Sequence, residues 1–217
     1  MPYLDVLCLA NSKKLSGRCI AGIRLDNGQW IRPVSFRDGG CIMSTDYQTS
    51  DGNPAQPVKV YSIPFTNRAA KFYHPEDAYY DIKQTWQLIE TSTATVTELL
   101  NSRLNDSEFL IGNSIDRIPQ SEISANKPVP FSLQLISPTN AHFAMSFGKP
   151  RLIFYYRDQG YSLAITDSDF LNRHRNITDF PISLARLGYG RPIITVSLGE
   201  PFQGAYFKLV AAIMNFP

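Results

Sequence analysis

The sequence predicts a mainly β chain with short helices, an α+β class, built as two small Greek-key barrels in tandem. Three observations carry this. Short apolar runs alternate with clusters of Asn, Asp, Gly and Pro, which is how strands joined by tight turns read. Helical spacing is confined to a few short stretches, so the regular strand–helix alternation of a parallel sheet is missing. The length of 217 residues suits one large domain or two small ones, and roughly five strand candidates fall in each half. The expected division is an N-terminal barrel with a helical insert over 1–128 and a C-terminal barrel over 129–217. No residue-level repeat relates the two halves.

Taken in order, Leu4–Leu9 is a short apolar strand, followed by a polar loop from Ala10 to Gly17 rich in turn formers. Cys19–Leu25 and Gln29–Ser35 flank Asp26-Asn27-Gly28 and read as a hairpin. After the loop Thr49–Pro57, Val58–Phe65 is a further strand. The middle then turns helical. Lys83–Glu90 is one candidate helix. Thr95 with Glu98 has the spacing of a capping box that opens another, in which Val96, Leu99, Leu100 and Leu104 share a face. Strands resume with Phe131–Ile136, His142–Phe147, Arg151–Tyr156 and Tyr161–Thr166, the last two joined by a turn at Asp158-Gln159-Gly160. Thr166 with Asp169 is a second possible capping box, opening a short helix over Ser168–Arg173. The remaining elements are Ile193–Leu198, a turn through Gly199–Gly204, and Tyr206–Met214.

The first hairpin poses a register question, because side chains alternate with period two. A two-residue loop groups Trp30, Arg32 and Val34 with Cys19, Ala21, Ile23 and Leu25, and sets Arg32 in an apolar face where it needs a buried partner. A three-residue loop ending on a left-handed Gly28 groups them with Arg18, Ile20, Gly22 and Arg24, and leaves Cys19, Ala21, Ile23, Leu25 and Ile31 as a clean core face. The three-residue loop is favoured because it leaves no arginine among aliphatics. Its outer face carries arginines around one tryptophan, a set able to fork onto phosphates and stack on bases. The plainer alternative is a Trp30 that fills a gap under a loop, with the arginines in ordinary surface pairs.

Hydrophobic residues make up 43% and charged residues 18%, which excludes disorder as the dominant state. Apolar runs such as Lys208–Met214 fall far short of the ~20 residues of a membrane-spanning helix, so no membrane partner is expected. The opening Met1–Asp5 lacks a basic region followed by an apolar stretch and is not expected to be a secretory signal. Cys8, Cys19 and Cys41 form no CxxC pair, and His74, His142 and His174 lie far apart. No disulfide framework and no metal site is expected, and the cysteine usage suits a cytoplasmic location. The net charge of +2 divides into +4 over residues 1–37, −5 over 38–147 and +3 over 148–217. Basic ends suit a polyanion, and the acidic segment 38–147 suits a protein partner; an uneven solvated surface accounts for the same pattern.

Cys8-Leu-Ala-Asn-Ser-Lys-Lys-Leu-Ser-Gly-Arg-Cys-Ile-Ala-Gly22 with Gly28-Gln-Trp-Ile-Arg-Pro-Val-Ser35 resembles the opening of the bacterial dual OB-containing domain family. Tyr161–Asp167, Val196–Pro201 and Lys208–Ile213 are similar to its closing segments, while 38–130 carries nothing that matches. The resemblance implies two OB-type barrels and a role connected with nucleic acids, in modules often linked to bacterial defence or conflict systems. It does not imply a settled catalytic activity. OB barrels grip oligonucleotides across one sheet face and its loops, and they also serve as protein-binding modules.

Asn11, Ser12, Lys13 and Lys14 with Arg18 form the candidate phosphate contact, which is not a Walker A loop; Arg24, Trp30 and Arg32 continue it along the hairpin. Its plainer reading is a solvated basic turn in which Asn11 and Ser12 bond their own backbone. Arg151, Tyr155 and Tyr156, with Arg157 and Tyr161, are an aromatic and basic cluster able to stack bases. Gly188–Arg191 reads as a backbone clamp or a linker. His74–Asp77 and Asp167–Asp169 gather acids able to hold Mg²⁺, although Asp167 or Ser168 is more simply a helix cap. No Ser/His/Asp or Cys/His set is recognisable, and no cofactor is expected. The leading expectation is a non-catalytic module for single-stranded or unusual DNA or RNA ends. A protein-interaction subunit of a defence complex is the second, and an enzyme acting on nucleotides or modified bases the third.

Overall fold

The computed structural model describes residues 3–43 and 45–216; Met1 and Pro2 of the opening segment lie outside the described residues. The chain folds as two compact units, the first ending at Arg103 and the second beginning at Leu104. The first comprises β1 (Tyr3–Lys14), β2 (Gly17–Arg24), β3 (Trp30–Val34), β4 (Val60–Arg68), β5 (Asp77–Tyr80), β6 (Gln87–Ile89) and α1 (Thr93–Arg103). The second comprises β7 (Arg117–Pro119), β8 (Leu133–Ile136), β9 (Thr139–Ser146), β10 (Lys149–Tyr156), β11 (Gln159–Ile165), α2 (Ser168–Arg173), β12 (Ile182–Ser183), β13 (Pro192–Phe202) and β14 (Ala205–Asn215). The chain is mainly β with short helices. Among the described residues no helix is long and apolar enough to cross a membrane.

β1 closes the first barrel by serving two partners. Its opening half pairs with β4, from Tyr3 opposite Pro64 to Leu7 opposite Val60, and its later part pairs with β2. A bulge between Cys8 and Ala10 bends the strand between these duties. The circuit runs β1–β2–β3–β5–β4 and back to β1, with β3–β5 parallel, which is the Greek-key circuit of an OB barrel. Val6, Ile20, Ile31, Tyr61, Ile63, Tyr80 and Trp86 fill it, the indole lying 4.8 Å from the Tyr47 ring and 5.4 Å from that of Tyr80.

The second barrel repeats the circuit with its first strand broken in two. β8 pairs with β13 and β9 with β10, and Ser137-Pro138 separates them. Proline has no N–H for a ladder, so the break falls where the chain changes partners. β10–β11 is antiparallel, β11–β14 parallel and β14–β13 antiparallel.

Several local expectations are corrected. Asn11–Lys14 is strand, not loop: Lys13 stands opposite Arg18 and Lys14 opposite Gly17, so the turn is only Leu15-Ser16. Lys83–Glu90 is not a helix, because β6 pairs with β4 and Trp86 enters the core. α1 is capped by Ser92, whose Oγ accepts from Thr95 N at 3.1 Å. α2 matches Ser168–Arg173, and its cap is Asp167: one carboxylate oxygen accepts from Asp169 N (3.0 Å) and Phe170 N (2.9 Å), the other from Ile213 N (2.8 Å). That use leaves Asp167 as a structural clamp rather than a metal ligand.

Residues 104–128, expected in the first barrel, belong to the second. Asn105 N donates to Leu135 O at 2.7 Å, Tyr156 OH to Ser107 O at 2.8 Å, and β7 pairs with β14. The acidic segment 38–147 is not a unit of its own, since it supplies β4–β6 and α1 to one unit and β7–β9 to the other. Counted by unit, eleven basic residues stand against ten acidic over 1–103, and ten against nine over 104–217, so each carries +1. Several carboxylates of 38–147 are engaged locally: Arg37 forks onto Asp46 at 2.8 and 2.7 Å, and Arg117 pairs with Asp116 at 2.8 Å.

The first hairpin adopts the grouping that the sequence disfavours. Ile23 stands opposite Trp30 and Gly22 opposite Ile31. The turn, Leu25–Gly28, is closed by Gly28 N to Arg24 O (2.8 Å) and Arg24 N to Gln29 O (2.9 Å), and an even-numbered loop has the parity of a two-residue one. Gly28 is left-handed (φ 67°), and the Arg103 guanidinium occupies the space a side chain there would need. Arg32 thus joins Ala21, Ile23 and Val34 and is 1% exposed. Its partner is Asp77, opposite it in the parallel β3–β5 ladder and 2% exposed, with Arg32 Nη1 donating to Asp77 Oδ1 at 2.9 Å. Burial raises the Asp77 carboxyl above the usual range, and the guanidinium opposes that shift. Replacing Asp77 by Asn strands a buried cation and is expected to cost about 3–5 kcal/mol in urea unfolding, whereas Arg32→Met with Asp77→Leu recovers most of it.

β14 carries a second buried cation. Lys208 Nζ donates to Asn113 O (2.7 Å), Asn113 Oδ1 (2.6 Å) and Ile115 O (2.7 Å), and so ties residues 113–115 to the barrel wall. Burial pushes this ammonium down to about 7, against Asp116, which raises it. The unfolded chain keeps the proton up to ~10.4, so above neutrality it binds more protons than the folded chain and stability climbs with pH. Urea midpoints should therefore give a rise of about 2–3 kcal/mol between pH ~7 and ~9 that is flattened in Lys208→Met.

Candidate functional site

The expected arginine–tryptophan face does not assemble. The register places Arg18 and Arg24 on one side of the hairpin and Trp30 and Arg32 on the other. Arg32 is consumed by Asp77, Arg24 forks onto Asp26 at 3.0 and 2.5 Å, and Arg18 and Trp30 are half-buried. Ala21 and Ile23 beside Trp30 are buried too, so the outer β2–β3 face of this barrel is closed. Asn11 is also structural: it is buried and its Nδ2 donates to Ala55 O at 2.7 Å, with Ser12 buried next to it. Of Asn11–Lys14, only Lys13 is exposed and Lys14 half-exposed.

The corresponding face of the second barrel is open. β10 alternates strictly, with Leu152, Phe154 and Tyr156 in the core and Ile153 and Tyr155 outward at 43% and 49% exposure. Small residues flank them on β11, where Gly160 stands opposite Tyr155, Ser162 opposite Ile153 and Ala164 opposite Arg151. The edge of the Tyr155 ring spans Gly160, where a Cβ would sit 3.7 Å away. Arg151 Nε donates to Ser162 Oγ at 2.9 Å, and its Nη2 bonds Ser162 O and lies 3.5 Å from Asp116, which orients the guanidinium along the face. Lys149, Arg151, Ile153 and Tyr155 form a row about 20 Å long at the usual strand rise. Tyr156, expected beside Tyr155, instead points inward and bonds Asn105 and Ser107 through its hydroxyl.

A second surface lies at the rim of the first barrel, around the chain leaving β3 and the β4–β5 connection. The ring of Phe36 lies on that of Tyr79, centroids 4.1 Å apart and planes 16° from parallel. With Gly39, Gly40, Lys71 and Asp77 they line a pocket. Lys14 and Lys71 both lie near enough to Asp77 to favour its charged form. Sequence reasoning missed Phe36, Lys71, Tyr79, Lys149 and Ile153. The outward Ile153 hid the alternation of β10, and nothing marked β5 as a strand. His74 Nδ1 is 3.8 Å from Asp77, but the arginine pairing makes this a buried ion pair rather than a cation site.

A family model described as the dual OB-containing domain matches residues 4–213. The chain belongs to the dual OB-containing domain family. Two solved structures align over most of this dual OB-containing domain at 7% identity. One is a murine DNA binding protein bound with double-stranded DNA (TM-score 0.34, 99% of this chain and 100% of the other). The other is the tetrameric p202 HIN2 (TM-score 0.28, 97% of this chain and 91% of the other). Neither is near enough to bear on function. No curated protein matches the sequence.

Within the dual OB-containing domain the adjacent tyrosines make opposite predictions. Tyr156→Phe deletes buried hydrogen bonds and is expected to cost about 1–2 kcal/mol in chemical denaturation. Tyr155→Ala, on the open face, is expected to stay within about 0.5 kcal/mol of the parent.

Proposed function

We propose that this protein binds single-stranded DNA or RNA, including strand ends, along the outer face of its second barrel. The observation that carries the reading is the β10 row: two cations, an aliphatic side chain and a tyrosine standing above small neighbours. A nucleic-acid strand offers complementary groups. Its phosphates take Lys149 and Arg151, and its bases stack on Tyr155 and cover Ile153, a contact tolerant of sequence. This is also the sheet face that OB barrels use for oligonucleotides. The even +1 charge of each unit removes any appeal to a globally basic chain and leaves affinity to local placement. A cytoplasmic setting, suggested by the cysteine usage, and a role in a bacterial defence or conflict system, suggested by the family resemblance, belong to the same proposal.

Fluorescence anisotropy with labelled ten-nucleotide DNA and RNA tests it. Binding at low salt should weaken with added salt, at a logarithmic slope of about −0.7 per phosphate contacted. Tyr155→Ala should weaken it by roughly 5- to 100-fold at unchanged stability. No binding at low salt to any single or double strand would remove the proposal.

A further inference from the structure

We propose that the rim pocket of the first barrel is a one-nucleotide site, with a base stacked on Phe36 and its phosphate held at the mouth beside Lys71. This deepens the nucleic-acid reading and rests on it for the ligand class, but it concerns a different surface with its own side chains.

Phe36 is 78% exposed yet held flat against Tyr79. Tyr79 covers one face of the phenyl ring, so the ring is braced and its other face is the one offered. A second planar ring stacked there meets no further ordering cost from Phe36, the condition under which stacking adds most to affinity. Gly39 and Gly40 make the opening. Both are left-handed at φ 67°, and a Cβ on Gly39 would stand 3.2 Å from Leu15 Cδ1, so the β1–β2 turn approaches closely over backbone that carries no side chain.

Asp77 gives the pocket its chemistry. Its carboxylate lines the pocket and is fixed on both sides, Oδ1 accepting from Arg32 Nη1 at 2.9 Å and Oδ2 lying 3.8 Å from the buried His74 Nδ1. A carboxylate has about four acceptor positions, so this one can also accept from an N–H on the edge of a base. Lys71 contributes the charge. Its ammonium lies 5.4 Å from the Tyr73 ring centroid and lines the same pocket as Asp77. An aromatic platform, a fixed acceptor and a neighbouring cation match a nucleobase face, a nucleobase edge and a phosphate. Inorganic phosphate matches only the last, and a nucleoside only the first two.

Isothermal titration of the full chain with AMP, GMP, CMP and UMP at low salt reads this directly, with a nucleoside and inorganic phosphate as separate arms. One-to-one binding of at least one nucleotide is expected, weakened about tenfold in Phe36→Ala and restored in Phe36→Trp. Lys71→Gln should weaken the nucleotide more than the nucleoside. Phe36 is exposed, so an unchanged melting temperature in Phe36→Ala separates lost stacking from lost fold. The site is refuted if no nucleotide saturates up to about millimolar concentration, the weak end of specific affinity. Equal affinity in Phe36→Ala, or inorganic phosphate competing as well as a nucleotide, refutes it too. Competition by a 5′-phosphorylated but not a 5′-hydroxyl oligonucleotide assigns the occupant to a strand end; competition by neither assigns it to a free nucleotide. Tyr155→Ala should leave nucleotide affinity intact. Nucleotide binding without oligonucleotide binding therefore sinks the β10 surface alone, and the reverse result sinks only this pocket.

Discussion

A strand has two edges, and a barrel closes only when its first strand serves a neighbour on each. That constraint organises both units. In the first, β1 satisfies β4 and β2 by bending at the bulge between Cys8 and Ala10. In the second, the same duty is split between β8 and β9 across Ser137-Pro138. Five strands are an odd number, so antiparallel pairing cannot run all the way round, and each circuit contains a parallel step: β3–β5 in one unit, β11–β14 in the other. Two sequences with no visible repeat reach one topology because closure constrains backbone pairing rather than side-chain identity.

The parallel step of the first barrel has a chemical consequence. It sets Arg32 opposite Asp77, two charges that would each be costly alone in an apolar face. Together they form a buried pair whose worth lies in register: a slip of one residue at β3–β5 separates them and turns every neighbour to the wrong side. The same pairing leaves the Asp77 carboxylate fixed beside the rim where Phe36, Tyr79 and Lys71 gather. A structural device and a candidate ligand group are thus one residue.

The two barrels present different surfaces although they share a plan. In the first, the β2–β3 hairpin is buried or half-buried on both faces, which withdraws the residues most suggestive of nucleic-acid contact. In the second, β10 alternates cleanly and leaves its outer row to solvent. A common fold therefore does not assign a common site to its copies; local burial does.

Much of the fold was legible in the residues themselves. Strand-rich class, two-barrel plan, the position of the first hairpin turn and the limits of α2 follow from local pattern, because turn formers, period and capping act within a few residues. Among the residues of the proposed binding face, the placement of Arg151 and Tyr155 on a strand was legible for the same reason. Only the tertiary structure decided the hairpin register, the assignment of 104–128 to the second barrel, and which aromatic and basic groups meet. Arg32 illustrates why. The sequence shows that one register would demand a buried partner for it, but that partner lies 45 residues onward, on a strand too short to announce itself. Whether a charge in an apolar face is an error or a fixed point depends on a group brought there by barrel closure, and closure is a property of the whole chain.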